Sequence, residues 1–485
     1  MLLDRRNTTL VAGLVIASSI SAAVVLRPEP ISVTVSLLAL GVIWLGLLPA
    51  IVWLRRPAEE RARFPLMALA GLYYAVFYGV SVFLIGVLLM ARYGTIVFYQ
   101  QPQPVHIDTA SMFAGFCGVA LFIAAYLLSA RRIERKLPPL KILPDPDWGA
   151  VRVLSWVLIA GWLAYRLVPG VSRLPSLGSF IEPAGTVALT LLYALWRRKR
   201  LARTEGLVFV FVTLPAFAVS LLGNGFLTPL MTLVVLWVAV ETWVAGRVPW
   251  KFLIAAPLIF ILVYPVATKF KNELWTNYAG ATAMERILAL PDIFAKLPLY
   301  GVHETSAFGN DLGWVQPLEG PVTRISHQLL LSRVVQETPA QVPYWLGHSY
   351  VPLASKFVPR AFWPDKPRED KGNEFGRRYG FLLAQERNMS INIPWLAELF
   401  ANFGWAGIVV GMPLFGLLMA GLEALLVSRR GGDLECAIGA ALLCPLFYHE
   451  SNFSLMVGNL PLALLTIWIF FRAGQWALTR AATRS

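Results

Sequence analysis

Apolar residues fall into twelve long stretches, and one long polar segment separates the ninth stretch from the tenth. A helix needs about 20 mostly apolar residues to cross a bilayer. Inside the membrane the backbone must satisfy its hydrogen bonds within the segment, so each stretch is predicted to be a helix. The predicted spans are 8–26, 31–54, 65–91, 109–130, 149–167, 179–196, 205–222, 225–245, 250–268, 396–427, 433–449 and 457–472.

The polar segment divides the chain into three parts. Residues 1–268 carry the first nine predicted spans, 269–395 form one large loop, and 396–485 carry the last three spans. The loop contains aromatic and aliphatic residues throughout, so we expect it to fold against the membrane helices rather than to act as a linker.

The composition excludes a water-soluble protein. The chain is 57% hydrophobic and 14% charged, whereas soluble domains are about one quarter charged. The predicted fold class is therefore an all-α polytopic membrane protein with about 12 transmembrane helices. The three cysteines, Cys117, Cys436 and Cys444, all lie in apolar stretches without a CxxC pattern. We therefore expect neither a disulfide framework nor a zinc site, and no metal or cofactor is predicted.

The distribution of basic residues predicts an orientation. With a cytoplasmic N-terminus, 24 of the 42 lysines and arginines lie on the inner side and 4 in short outer loops, and the large loop holds the other 14. Such a bias predicts cytoplasmic termini and an external large loop. It also explains most of the net charge of +14 without a nucleic-acid partner. Residues 1–26 have the look of a signal peptide, but this topology needs them as an uncleaved first span.

Two helical pieces are predicted in the loop. The first, 283–299, is expected to be an amphipathic helix broken at Pro291. The second, 322–336, places Arg324 and His327 three residues apart and so on one face. An arginine beside a histidine suits a polyanion and a proton acceptor. An interfacial helix whose basic residues meet lipid phosphates explains the same pattern.

A proline-rich stretch follows, VPRAFWPDKPRED at 358–370. Its prolines stiffen the chain around Arg360 and Lys366, which are candidate phosphate ligands. The alternative is a surface loop whose cations are balanced by the nearby acidic residues. Arg377 and Arg378 are further candidates for substrate binding, although Glu374 is spaced to pair with either of them on a helix.

The tenth span opens with a carboxylate. Glu398 and Asn402 are four residues apart and share one face of the predicted helix. A carboxylate there must face protein or water rather than lipid, which makes Glu398 a candidate general base and Asn402 a candidate substrate ligand. An ion pair between Glu398 and a loop arginine is the structural alternative. The outer turn after span eleven carries His449, Glu450 and Asn452 on the same side of the membrane as the large loop, where they could line a substrate cavity.

Five motifs in order resemble the bacterial oligosaccharide repeat unit polymerases, the Wzy-type O-antigen and exopolysaccharide polymerases. The motifs are TRISHQ, GHSYVPL, VPRAFWPDKP, GNEFGRRYGFL and PWLAELFANFGWAG, within 320–425. The many-helix layout with one large external loop is similar as well. The first nine spans carry no such signature.

This resemblance implies a GT-C-like enzyme of the bacterial inner membrane with a periplasmic loop. Its substrate would be an undecaprenyl-diphosphate-linked oligosaccharide, polymerised by metal-independent glycosyl transfer at the periplasmic face. Arg324, Arg360, Lys366, Arg377 and Arg378 would stabilise the diphosphate, and Glu398 or His327 would act as base. A chain-length regulator protein is a candidate partner, beside the lipid bilayer.

Two other functions remain open at this stage. An O-antigen ligase, which transfers glycan to lipid A core, shares the layout and the chemistry. A lipid-linked oligosaccharide flippase or other transporter would carry its polar residues at mid-membrane in broken, repeated helices. The concentration of polar residues in one asymmetric loop disfavours transport.

Overall fold

The computed structural model describes most of the chain as helices. The described residues are 5–28, 31–57, 61, 63–91, 106–168, 170–171, 177–222, 227–246, 248–278, 281, 283–296, 316–356, 358, 362–363, 365, 369–387 and 389–483. No strand occurs among these residues, so the predicted all-α class is confirmed.

Eleven helices cover the first part of the chain. They are α1 (Arg5–Val25), α2 (Val33–Arg55), α3 (Leu66–Tyr74), α4 (Ser81–Ala91), α5 (Thr109–Lys136), α6 (Trp148–Leu167), α7 (Leu177–Arg197), α8 (Arg203–Val208), α9 (Leu214–Leu222), α10 (Leu227–Ala245) and α11 (Trp250–Asn277). Single π-helical segments join α3 to α4 and α8 to α9, so each of these pairs forms one column, as predicted for spans three and seven.

Ten helices follow in the described part of the large loop and the C-terminal block. They are α12 (Ala283–Lys296), α13 (Gln316–Ile325), α14 (His327–Glu337), α15 (Pro352–Lys356), α16 (Lys371–Arg378), α17 (Trp395–Ala406), α18 (Met412–Leu422), α19 (Asp433–Leu443), α20 (Phe453–Val457) and α21 (Leu460–Ala482). A π-helical segment joins α17 to α18, and a second one extends that column to Val427.

Seven helical columns among the described residues are long and apolar enough to cross a membrane. They are Val33–Arg55, Leu66–Leu88, Thr109–Lys136, Trp148–Leu167, Arg203–Leu222, Trp395–Val427 and Phe453–Ala481. The structure therefore supports a membrane protein but not the full predicted count of twelve spans. The eleventh predicted span is one reason, because α19 has 11 residues and reaches only about 16 Å.

Two predictions for the large loop are corrected by the structure. Pro291 lies inside α12 without ending it. The predicted helix 322–336 is interrupted at Ser326, whose ψ of 66° is not helical. The Ser326 hydroxyl donates to the carbonyl of Val322 at 2.5 Å, which stabilises the break. Arg324 and His327 therefore lie on two different helices and not on one helical face.

One core runs through most of the bundle. Helix α5 packs against α2 and α18, while α6 packs against α7, and their buried apolar residues form a single cluster. The turns predicted to face the cytoplasm meet at one end of this bundle. Arg63 and Arg198 both pair with Asp433 there, and the N–H of Leu140 donates to the carbonyl of Leu425 at 2.8 Å.

Candidate functional site

Glu398 is buried in the first turn of α17. Pro394 stands immediately before this helix with an extended backbone, as expected for a proline at a helix start. The Glu398 side chain has no exposed surface. Its Oε2 accepts a hydrogen bond from the backbone N–H of Phe453 at 2.7 Å. Its Oε1 makes no close hydrogen bond to a described residue, and the Ser349 hydroxyl is the other donor beside the carboxylate, so one oxygen is anchored by the backbone and the other is held more loosely.

Asn402 lies one turn further along α17 and holds the loop above it. Its amide nitrogen donates to Ser349 Oγ at 2.8 Å and to the carbonyl of Glu398 at 2.7 Å. Its amide oxygen accepts from the N–H of Gly347 at 2.9 Å. Because both ends of the amide are used within the protein, these contacts favour a positioning role, and substrate binding by Asn402 stays a prediction.

Arg324 forms an ion pair with the buried carboxylate of Glu450. The same guanidinium donates to the hydroxyl of Tyr448 at 3.0 Å, and Asn392 donates to the paired carboxylate oxygen of Glu450. Glu450 has no exposed surface, whereas about a third of the Arg324 side chain is exposed. The guanidinium of Arg324 is therefore held by a buried anion, while part of its side chain remains exposed.

Two buried histidines lie beside this ion pair, each held by a tyrosine. The Nδ1 of His327 is 2.7 Å from the Tyr73 hydroxyl, and the Nδ1 of His449 is 2.9 Å from the Tyr74 hydroxyl. The indole of Trp395 stacks on His449 with 3.9 Å between ring centroids and 5° between planes. The two imidazoles are thereby fixed in orientation by residues from both ends of the sequence.

Burial and neighbouring charge keep His327 neutral. Burial lowers its pKa well below the usual value, and the positive charge of Arg324 lowers it further. Burial also lowers the pKa of Lys271, again with a second contribution from Arg324. Lys271 lies on α11, just after the predicted span 250–268. Helix α11 packs against α13, the helix that carries Arg324. Lys271 and Arg324 thus bring two positive charges to the same helix–helix contact, where an anion would be stabilised.

The turn 448–453 connects Glu398 with the histidines and the arginine. The backbone N–H of Trp395 donates to the carbonyl of His449 at 3.1 Å, which joins this turn to the start of α17. The turn also supplies the backbone donor to Glu398 and the carboxylate partner of Arg324. One short segment therefore holds the candidate base and the candidate cation in a fixed relation.

Two of the predicted arginines are used to hold loops. Arg377 donates from Nε to the Asn373 side chain at 2.9 Å. Arg378 donates to the carbonyl of Pro343 and lies over the ring of Trp345, 5.6 Å from its centroid. Neither is recorded in an ion pair with Glu374, which was the alternative expectation. These contacts give both side chains a structural task, and their contact with a substrate stays a prediction.

Other cations enter the site from the same loop region. Lys371 donates to Glu374 at 2.9 Å and lies 2.8 Å from His348 Nε2. Lys356 pairs with Glu369, whose other oxygen accepts from the side chain of Asn452 at 2.7 Å. Each cation here is balanced by a carboxylate, as expected for charges with little exposed surface.

Two predicted site residues lie outside the described residues. These are Arg360 and Lys366, the candidate phosphate ligands of the proline-rich stretch. Among the residues that the structure describes, no three His, Cys, Asp or Glu side chains are close enough together to hold a metal ion.

The sequence patterns did not identify Lys271, Tyr73 or Tyr74 as site residues. Lys271 belongs to a short basic run, TKFKNE, just beyond the predicted ninth span. It is far in sequence from α13, so no local pattern could predict that the two are in contact. Tyr73 and Tyr74 belong to YYAVFY inside the third predicted span. Several hydroxyls in one membrane helix are a usable signal, because polar groups at such positions face protein.

The fold and this cluster define a multi-helix membrane protein with a cluster of buried carboxylates and histidines beside an arginine at one end of its bundle. Residues 163–476 match the model of a family described as a domain of unknown function, DUF8712. Because the match covers more than half of the chain, the protein belongs to this family. Neither the curated proteins nor the solved structures contain a match.

The family match covers most of the site but not all of it. Arg324, His327, Glu398 and Glu450 lie within 163–476, whereas the tyrosine that contacts His327, Tyr73, lies before the matched region. Helix α3, which lies before the matched region, thus contributes to a site whose charged residues lie within it.

Proposed function

We propose that this protein is a glycosyltransferase of the bacterial inner membrane that polymerises undecaprenyl-diphosphate-linked oligosaccharide repeat units at the periplasmic face. In this proposal the chain crosses the membrane about twelve times in a GT-C-like arrangement, with both termini in the cytoplasm. The bundle end that holds Glu398 and Arg324 then faces the periplasm, and the end that holds Asp433 faces the cytoplasm.

The buried carboxylate of Glu398 is the observation that carries this proposal. A general base must reach the proton that it accepts, and its surroundings must keep water from competing. Glu398 has one oxygen anchored by a backbone donor and a second oxygen without a close hydrogen bond to a described residue. No cation among the described residues pairs with Glu398, so the carboxylate is not tied up by an arginine there.

The proposed step is a displacement at the anomeric carbon of the lipid-linked glycan. The acceptor hydroxyl oxygen forms the new glycosidic bond and passes its proton to Glu398. The bond between the anomeric carbon and the diphosphate breaks, and its electron pair leaves with undecaprenyl diphosphate. Arg324 and Lys271 stabilise the negative charge that develops on that leaving group, since preorganised cations act most strongly where charge appears. Arg360 and Lys366 are proposed to assist.

His327 is the second proposed base, and its contacts make it the weaker one. Its Nδ1 is occupied by Tyr73, and its pKa is lowered by burial and by Arg324. A base with a strongly lowered pKa accepts a proton poorly at neutral pH. We therefore assign the proton transfer to Glu398 and a positioning role to His327.

Replacing Glu398 with glutamine tests the proposal. The substitution keeps the volume and the acceptor for Phe453 but removes the base. We expect polymer length to collapse to single repeat units on the lipid carrier, with a loss of about 100-fold or more in polymer formed. The measurement is a glycan ladder from cells together with protein abundance in the membrane.

Glu423→Gln is the matched control, because Glu423 is a second buried carboxylate on the same helical column. It should leave the ladder intact. Normal polymer in the Glu398→Gln variant would remove the proposed base. Lipid-linked polymer that accumulates without transfer to lipid A core would indicate a ligase instead, and repeat units retained at the inner face would indicate a transporter.

A further inference from the structure

A large apolar cavity lies beside the candidate site, enclosed by α7, α9, α10, α19 and α21. Its volume is about 510 Å³, within the ~300–1,000 Å³ of ligand pockets in proteins. One wall is formed where α19 ends at Leu443 and the chain continues as a short 3-10 turn through Pro445. A helix of full membrane length would occupy part of this space.

Most of the polar groups that line the cavity have partners within the protein, and the side-chain amide of Asn459 is the polar group left at its edge. Arg166 pairs with Glu182 at 2.9 Å, and the Thr186 hydroxyl donates to the carbonyl of Glu182 at 3.3 Å. The carbonyl of Thr232 accepts from the thiol of Cys444 at 3.5 Å. Because these groups offer little hydrogen bonding to a guest, the walls favour an apolar occupant.

The backbone contributes few donors to the cavity. Pro183, Pro229 and Pro445 all line it, and a proline has no N–H. The remaining surface is aliphatic and aromatic, with Phe217 and Leu236 among the buried side chains. A lipid chain that enters from the bilayer loses no apolar contact and gains close van der Waals packing against these walls.

The cavity has an exit toward the surface of the bundle. Pro229, Leu233 and Met456 line it and remain partly exposed, whereas Ala441 and Ala463 at the back are buried. Pro229 and Met456 stand next to the start of α10 and the end of α20, close to the turn 448–453 of the candidate site. The exit therefore lies in the same half of the bundle as Glu398.

We propose that this cavity binds one apolar chain of a membrane lipid, with the charged Arg166–Glu182 pair beside the lipid head group. The proposal does not depend on the reaction proposed above. The chain comes either from a bilayer phospholipid or from a polyprenyl phosphate carrier, and the shared chemistry is a long hydrocarbon attached to an anionic head.

Filling the cavity from its back wall tests the proposal. Ala463→Phe places a ring in the space, and Leu465→Phe is the matched control on the same helix, because Leu465 is 51% exposed on the bundle surface. The full-length protein is purified in detergent and incubated with dioleoyl phosphatidylglycerol or with undecaprenyl phosphate. Native mass spectrometry then counts the lipids retained per chain, and a melting curve checks the fold.

We expect the wild type and Leu465→Phe to retain one lipid per chain, and Ala463→Phe to retain it about tenfold more weakly. Ala441→Val makes a smaller intrusion from α19 and should weaken retention to a lesser degree, which gives a readout if the phenylalanine variant fails to fold. Equal retention by the wild type and the folded back-wall variants would overturn the proposal. Competition between the two lipids identifies the source of the chain.

Discussion

The column from Trp395 to Val427 carries a buried carboxylate near each end, and the two are held very differently. Glu423 receives a hydrogen bond on each oxygen, from the Tyr126 hydroxyl and from the N–H of Met67 at 3.4 Å. Glu398 receives a close hydrogen bond on Oε2 only. The residues are 25 positions apart, and the column between them contains a kink at Gly404 and a π-helical segment, so they lie toward opposite ends of this column.

The charges around the two carboxylates differ in the same way. At the Glu423 end, Asp433 pairs with both Arg63 and Arg198, and all three side chains are partly exposed. At the Glu398 end, the carboxylate of Glu450 is fully buried beneath Arg324. One end therefore has exposed, mutually replaceable ion pairs that fasten loops. The other end has fully buried carboxylates, of which Glu450 depends on a single cation, an arrangement that costs stability and is typical of functional sites.

The largest expected effect separates these two kinds of ion pair. Arg324→Ala leaves the buried carboxylate of Glu450 without its main cation, and we expect a loss of about 3 kcal/mol in unfolding free energy. Arg63→Ala leaves Asp433 paired with Arg198 at an exposed site, and we expect a loss below about 1 kcal/mol. The measurement is reversible unfolding in mixed detergent micelles. Equal losses of unfolding free energy in the two variants would show that the buried and the partly exposed ion pairs contribute equally to stability.

A smaller effect separates the two carboxylates themselves. Glu423→Gln keeps only one acceptor for two donors, so we expect a loss of about 1 kcal/mol. Glu398→Gln keeps an oxygen acceptor for the N–H of Phe453 and replaces a buried ionisable group with a neutral one, so the same unfolding measurement should show no loss or a slight gain. A larger loss for Glu398→Gln than for Glu423→Gln would mean that Glu398 is the structural member of the pair.

The helical framework follows from local sequence, because long apolar runs leave the backbone few alternatives. The starts of α5 and α17 are marked by Asp108 and Pro394, and both helices begin at the following residue. The break at Ser326 had no such mark, since the apolar residues on either side continue one stripe. A serine that bonds its own preceding turn is decisive there, and only the packed structure reveals it.

Single residues of the candidate site were predictable from the sequence, but the contacts between them were not. Glu398 stands out as a carboxylate at the start of an apolar span, and Arg324 and His327 stand out as polar residues in the loop. Their partners come from far along the chain: Tyr73 lies 254 positions from His327, and no local pattern relates the two. One wall of the cavity beside the site is formed at the early end of α19, which its composition alone does not predict.

The smallest expected effect is a pH dependence of stability, and we expect it only at the end of the bundle that holds Glu398. The histidines of the chain include none in the turns around Glu423 and Asp433, whereas His327 is buried between Tyr73 and Arg324. Its pKa is lowered in the folded protein, mainly by burial, so the unfolded chain binds more protons below about pH 6.5. Stability should therefore be complete above that pH and fall as the pH drops toward the folded value.

Thermal unfolding between pH 5 and 8 measures this contribution, which amounts to at most about 1.4 kcal/mol per pH unit. His327→Gln cannot titrate, so its stability should fall less between pH 6.5 and 5 than that of the wild type. Tyr73→Phe removes the hydrogen bond but not the burial or Arg324, so its slope should stay close to the wild-type slope. A slope that is unchanged in His327→Gln would show that His327 is not the acid-sensitive group and would move the test to the neighbouring buried His449.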